Sequence, residues 1–473
     1  MFQRMLCWFF TLCVITAIFP WGADWFCTNQ NNAFDGNPKT FAALRPGRAL
    51  VLELDEAVSI NSIVLREHGV AYGQPGNSRL FRIEAYQNGS WEIIYGSDVI
   101  GAVRICVVDE MEVSAVRLVI DETAKRTVRI SEMSIALQEP AGREKPFRVV
   151  GYFHPNVFIY DDISNYADQF EVATHVIYIG NTTLGLCDEG RPTVLFSEQS
   201  PQNISALQQA VGGRSDVLIS LTCGARVNGL NVLTDNPQDI ERIAGQLFDF
   251  VQEKSLDGVE INFEGSWRDS RVHRAAYSML IETLAPMLHE VNKSITVSVV
   301  SNFPFTARAL ELLDYINIMS YDHMDTEQVW HSTYNAMQRD IRDLAVRGVP
   351  LIDSTGKVMG THQPFPREKL NGGVPFYGMG NLGGVREWDR TFSFGRLYRE
   401  ANGDFNPHAN YCLATSSYYN GPTTIRDKAA YMLLQAELGG IMIWALNHDT
   451  EFSNPYSLLR TIGDTMDRFS CGR

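Results

Sequence analysis

The chain has 473 residues, more than the roughly 250–300 that one hydrophobic core supports, so more than one domain is expected. Its apolar fraction of 45% and charged fraction of 20% are those of an ordinary soluble globular protein. Acidic residues outnumber basic ones 55 to 40, for a net charge of −15. That balance argues against a nucleic acid partner, because a phosphate backbone is held mainly by Lys and Arg, and it is compatible with neutral sugars.

At the N-terminus, Arg4 precedes an apolar run from Met5 to Pro20, followed by the small residues Gly22 and Ala23. This predicts a signal peptide over residues 1–23 and a secreted, extracellular protein. An uncleaved anchor holding the protein to a membrane is the alternative, since Trp21 stands where a small residue is usual. After cleavage Cys27, Cys106, Cys187, Cys223, Cys412 and Cys471 would remain, scattered and without metal-ligand spacing. Export permits disulfides among them, and no metal site or cofactor is expected. Asn88, Asn181, Asn203 and Asn292 each open an Asn-x-Ser/Thr triplet.

Residues 24–138 read as short strands divided by turns. Leu50–Leu54, Ile60–Arg66, Phe81–Tyr86 and Ala115–Ile120 are rich in β-formers, and Asn88-Gly89-Ser90 marks a turn. An antiparallel sandwich is expected. Residues 139–146 are polar with two prolines and read as a linker.

From residue 147 to 473 the pattern becomes apolar strand, helix, apolar strand. Strands are predicted at Val149–Phe153, Thr174–Ile179, Val217–Thr222, Gly258–Phe263, Ile295–Val300, Tyr315–Ser320, Gly372–Tyr377 and Gly440–Leu446. Their nearly continuous apolar character suits parallel strands covered on both faces. Helices are predicted at Pro237–Lys254 and His273–Asn292. The count indicates a (β/α)8 TIM barrel; a doubly wound sheet is disfavoured because no Gly-x-Gly-x-x-Gly turn follows the first strand.

The fourth predicted strand carries the chemistry. With a side-chain period of two, Val259, Ile261 and Phe263 face the helices, while Glu260, Asn262 and Glu264 face the barrel interior. Three polar side chains on a buried face are costly unless they bond one another or a substrate. Barrel active sites lie at the C-terminal mouth, which makes Glu264 the reactive member; an inert hydrogen-bond network is the alternative.

Two resemblances follow from these residues. The first segment resembles the discoidin-like (coagulation-factor 5/8 type C) modules, which are galactose-binding-like jelly rolls. The match rests on Ala33-Phe34-Asp35-Gly36-Asn37-Pro38-Lys39-Thr40, Leu52-Glu53-Leu54, the run Val58 to Arg66, and Arg129-Ile130-Ser131-Glu132-Met133. It departs at Phe41, where many relatives carry Trp. Such modules often contact glycans, and some only support a neighbouring domain.

The second segment resembles the glycoside hydrolase family 18 barrel, which includes chitinases, endo-β-N-acetylglucosaminidases and inactive relatives. The family signature Asp-Gly-x-Asp-x-Asp-x-Glu is matched by Asp257, Gly258, Glu260, Asn262 and Glu264, with Glu and Asn at the two inner Asp positions. Met319-Ser320-Tyr321-Asp322, Gly373-Val374-Pro375-Phe376-Tyr377-Gly378 and Gly439-Gly440-Ile441-Met442-Ile443-Trp444 match the sixth, seventh and eighth strands. So does Tyr419 to Lys428 on the approach to the eighth.

The resemblance implies retaining, substrate-assisted hydrolysis of β-1,4 bonds at N-acetylglucosamine. Glu264 would be the acid and then the base, its pKa raised by burial or by a neighbouring carboxylate such as Glu260. Asn262 would accept the acetamido N–H without supplying a charge. Tyr321 would hold the acetamido carbonyl, Asp322 would support the site from the mouth, and Trp444 would form the floor under the sugar. Tyr152 and Met319 complete the binding set; Trp267, Trp330 and Trp388 lie in loops where outer sugars would sit, but each is equally suited to anchoring its loop, and they are not part of the set. The partner implied is a glycan containing N-acetylglucosamine: chitin, an N-glycan core or peptidoglycan. A non-catalytic glycan-binding protein, favoured by Asn262, and a peptidoglycan hydrolase stay open.

Overall fold

The computed structural model describes residues 29–470 except 75, 141–145, 155–162, 181, 199, 224–225, 228–229, 234, 265–269, 324–330, 383–384, 402–404 and 407. The signal-peptide segment, Cys27, Cys471, Asn181, Trp267, Trp330 and most of the expected linker lie outside the described residues. The chain divides into two compact units, residues 1–138 and 139–473.

In the first unit, β1 (Ala42–Leu44), β2 (Ala49–Glu67), β3 (Ser78–Gln87), β4 (Ser90–Ser97), β5 (Arg104–Thr123) and β6 (Val128–Ala136) pair antiparallel in the order β1-β6-β2-β5-β3-β4. Two of the runs read from sequence, Leu50–Leu54 and Ile60–Arg66, belong to the one long strand β2. No Gly or Pro interrupts Asp55-Glu56-Ala57, so the chain stays extended and only its register against β5 shifts, between Glu53 and Val58. The β3–β4 hairpin turns on Asn88-Gly89, both at positive φ, as a two-residue loop requires. Ile63, Leu65, Phe81, Ile83, Val116 and Leu118 lie in the core of this unit.

In the second unit eight parallel strands close a barrel: β7 (Arg148–Phe153), β8 (His175–Tyr178), β9 (Asp216–Cys223), β10 (Gly258–Phe263), β11 (Ser294–Val299), β12 (Tyr315–Ile318), β13 (Leu370–Pro375) and β14 (Gly440–Trp444). Each pairs with the next in sequence, β14 pairs with β7, and β8 pairs with β9. All eight lie where the apolar runs predicted them. Gly258 is required at the start of β10, because a Cβ there would stand 2.2 Å from the Ser294 carbonyl oxygen of β11.

The helices are α1 (Ser200–Val211), α2 (Pro237–Glu253), α3 (Arg271–Glu290), α4 (Ala307–Leu312), α5 (Tyr334–Arg342), α6 (Phe394–Glu400), α7 (Pro422–Ala430) and α8 (Leu458–Phe469). Helix α2 shows why they form: Asn236 caps the Gln238 N–H, Pro237 opens the first turn, and Ile240, Ile243, Ala244, Leu247 and Val251 make one buried stripe. Between β12 and β13 lie α5 and a ribbon of Val349–Ile352 with Val358–Gln363. After β13 the strands Tyr377–Leu382, Val385–Ser393, Tyr411–Cys412 and Ser417–Tyr418 form a small antiparallel sheet. Among the described residues no helix is long and apolar enough to cross a membrane.

Candidate active site

The parallel register places Glu260 of β10 level with Ser220 of β9 and Thr296 of β11. Adjacent side chains on one face therefore meet. The Ser220 hydroxyl donates to the Glu260 carboxylate, and from across the lumen the Tyr152 hydroxyl of β7 donates to it at 2.8 Å. Tyr152 also bonds Ser298 of β11. Glu260 is fully buried, and desolvation drives its pKa up to about 7 against the pull of these hydroxyls. Outward-facing neighbours on β10 lock the strand to α3: Tyr277 bonds the Ile261 carbonyl at 2.7 Å, and its ring lies 4.8 Å from that of Phe263.

Asn262 is buried and donates its side-chain amide to Glu264. Its carbonyl oxygen Oδ1 is also buried and has no partner among the described residues. An unpaired buried acceptor is expensive unless a donor arrives with a ligand. Glu264, one alternation further on, stands beyond the end of β10 and opens to solvent while protein surrounds most of its carboxyl. Its pKa is raised, first by desolvation and then by the charge of Asp322, while the Asn262 bond pulls it down. The carboxylate that raises Glu264 is therefore Asp322, and the expectation that Glu260 would do so is corrected. Glu260 is tied to hydroxyls deeper in the lumen and carries little charge below its own raised pKa.

Asp322 follows β12 in a left-handed conformation, φ 58°, which Asp tolerates better than most side chains. Its Oδ1 accepts from the Tyr377 hydroxyl and lies 3.2 Å from His331 Nδ1. Tyr321, beside it, is buried; its hydroxyl lies 3.6 Å from the Met442 sulfur and its ring packs edge-on to Tyr377. Met319 and Trp444 pack on the same lumen cluster as Tyr152, Tyr321 and Met442, with the Trp444 ring centred 5.0 Å from that of Tyr152. All eight residues singled out in the sequence, Tyr152, Glu260, Asn262, Glu264, Met319, Tyr321, Asp322 and Trp444, thus gather in and at the mouth of one lumen. Trp388 falls on the strand Val385–Ser393 of the small sheet, away from any strand of the barrel.

Sequence reasoning missed Ser220, Ser298, Tyr377 and His331. The serines had a weak signal, as polar positions in apolar strands in step with Glu260. Tyr377 stood inside a quoted motif without a role, and His331 had no local signal at all.

The sequence profile of the glycosyl hydrolases family 18 matches residues 148–449. No curated protein matches the chain in sequence. Among solved structures, a family 18 chitinase from the chitin utilization locus of Flavobacterium johnsoniae is similar at 25% identity and TM-score 0.53, over 68% of this chain and 94% of that one. A chitinase from Bacteroides thetaiotaomicron shares the fold at 20% identity and TM-score 0.54, over 68% and 97%. A family 18 chitinase from Cycas revoluta, solved with (GlcNAc)3, shares it at 15% identity and TM-score 0.51, over 67% and 99%.

Proposed function

The chain belongs to glycosyl hydrolase family 18, and we propose that it cleaves β-1,4 bonds at N-acetylglucosamine with Glu264 as acid and the substrate's own acetamido group as nucleophile. The observation that carries this reading is the buried Oδ1 of Asn262, without a partner among the described residues, beside a carboxyl held towards its protonated form. An acetamido N–H supplies the missing donor. Its carbonyl oxygen is then turned towards the anomeric carbon, while the Glu264 proton goes to the leaving glycosidic oxygen. Loss of that proton leaves Glu264 as the base that takes a proton from the water opening the oxazolinium. The configuration is retained. Tyr321 donates to the acetamido carbonyl, and Trp444, backed by the buried Tyr152, floors the sugar. With Asn at position 262, the negative charge facing the oxazolinium comes from Asp322.

The substrate class is supported by the Cycas revoluta structure with (GlcNAc)3 and by a catalytic domain from Ostrinia furnacalis with a chitin oligomer. Within that class we favour chitin-like polymers over N-glycan cores or peptidoglycan. Export by the segment 1–23 is part of the proposal. So is a discoidin-like sandwich over residues 24–138 that touches glycan, a reading supported by the antiparallel pairing of its six strands and their large apolar core. The neutral Asn262 favours one second reading, a glycan-binding protein without turnover. Incubation with N-acetylglucosamine oligomers and chromatography of the products separates the two. We expect shorter oligomers from wild-type protein and a loss of ~10³-fold in Glu264→Gln, the scale of a general acid. Binding without shortening would overturn the hydrolase reading.

A further inference from the structure

Ser332 and Thr333, at the entry to α5, are fastened with unusual care. Ser332 donates its hydroxyl to the Ser320 carbonyl at 2.8 Å. Its own carbonyl accepts from Asn420 at 2.8 Å and from the ammonium of Lys428 at 3.1 Å. Lys428 is fully buried on α7 and also bonds Ser332 Oγ at 2.8 Å and Asn420 Oδ1 at 2.6 Å. The His331 carbonyl accepts from the His323 N–H at 3.0 Å, and Thr333 caps α5. A buried ammonium with two of its bonds on one serine is a costly anchor. What it fixes is the residue next to that serine, His331.

We infer that His331 is a positioning residue, which with Tyr377 holds the Asp322 carboxylate where its charge acts on Glu264. The ring of His331 is buried, its centroid is 4.9 Å from that of Tyr377, and Nδ1 lies 3.2 Å from Asp322 Oδ1. The charged and titratable groups that face it are Asp322 after β12, Tyr377 after β13 and Lys428 on α7. Burial lowers the pKa of the ring, with the Lys428 charge adding to it against the pull of Asp322, which favours the neutral ring with Nδ1–H as a plain donor to the carboxylate. Asp322 sits on a mouth loop with a third of its side chain exposed, and without a second donor it would turn into solvent. Nothing in the chain order announces this pairing, and no other residue described above supplies it.

The inference rests on Glu264 being the acid, and its test is chosen to stand apart from turnover. Protein labelled with 13C at the glutamate carboxyls is titrated by NMR, the Glu264 resonance being identified by its loss in Glu264→Gln. In His331→Phe, which keeps a ring but no donor, the Glu264 midpoint should fall by ~0.5–1 pH unit, as expected for loss of a nearby like charge. His331→Asn, whose amide N–H can replace Nδ1–H, should titrate as wild type. In an Asp322→Asn background, His331→Phe should shift nothing further. Where turnover is measurable, the basic limb of kcat/KM should move down by the same interval. Should the Phe variant fail to fold, His331→Ala replaces it with the same expectation. A folded donor-less variant with the wild-type midpoint, or an Asn variant that shifts as far as Phe, would overturn the role of His331. Wild-type protein that cuts no oligomer would instead refute the hydrolase reading, and the titration would still decide the role of His331.

Discussion

At the N-terminal end of the barrel, polar side chains meet cations or backbone N–H groups; at the C-terminal end, acids meet hydroxyls, amides and one another. Below, Asp257 accepts from the Val217 N–H at 2.9 Å and from Lys293 at 3.1 Å. The fully buried Asn371 bonds Arg148 at 3.1 Å and Asn317 at 2.9 Å, and the Arg148 guanidinium lies over the Tyr315 ring. Above, Glu260 has Ser220 and Tyr152, Glu264 has Asn262, and Asp322 has Tyr377 and His331. No described Arg or Lys bonds any of those three carboxyls. Cations below fix charge and stabilise; above, where no described cation bonds the acids, protons are free to move at ordinary pH. The signature itself spans both ends, since Asp257 serves the lower network and Glu264 the upper.

The largest effects should come from changing the charge above. Asn262→Ala removes both the donor to Glu264 and the free acceptor, and kcat should fall ~10²-fold, the scale of one transition-state hydrogen bond. Asn262→Asp places a carboxylate facing the oxazolinium and should raise kcat ~10-fold. It also adds a like charge beside Glu264, so the Glu264 pKa rises further and the basic limb of the pH profile moves up. Initial rates on oligomers across pH check both. A slower Asp variant would mean that Asp322 already supplies all the charge the site can use.

Most of the barrel was legible because buried parallel strands write themselves as short apolar runs, and a polar residue at every second position of Gly258–Phe263 is conspicuous. Partnerships across the lumen were not. Ser220 meets Glu260 through the register of two strands, and Tyr152 meets it through closure of the barrel; neither register nor closure has a local signature. Asp322 could not be matched to Glu264 for the same reason, so the nearer Glu260 took its place. In the first unit, strand existence was readable but continuity was not. β4 escaped notice because Trp91-Glu92-Ile93-Ile94-Tyr95 alternates imperfectly, and β2 hid its register shift in charged residues that look like a turn.

Breaking the lower end should cost stability and leave chemistry alone. Arg148→Met keeps the apolar stem and leaves the Asn371 carbonyl oxygen and the Glu368 carbonyl without their donor. A loss of about 1 kcal/mol is expected, since the Asn371 oxygen loses a donor while water reaches the exposed Glu368 carbonyl, read as a lower midpoint in denaturant. kcat/KM for oligomers should stay within ~2-fold of wild type, because the polar groups lost lie a full strand length from Glu264. A tenfold fall in kcat/KM with unchanged stability would erase the distinction between the two ends.

The smallest effect concerns Glu260, the deeper acid of the upper group. In the folded protein its carboxyl holds a proton up to about 7, against an ordinary value of 4.5. Below the ordinary value both folded and unfolded chains are protonated there, and Glu260 adds no pH dependence. As pH rises through the interval the unfolded chain releases the proton first, so the folded state binds more protons and stability falls with pH. Above the raised value the loss is complete and the curve flattens. Glu260→Gln cannot titrate, so whatever fixed cost the amide imposes, the difference in Tm between variant and wild type should move in the variant's favour from pH 5 to pH 7 by roughly 2–5 °C. The comparison of slopes, not of absolute Tm, carries the result, because an amide also puts an N–H where Tyr152 or Ser220 now donates. Parallel Tm curves across that interval would mean that Glu260 is ionised in the folded state. The upper lumen would then hold a fixed charge, as the lower end does.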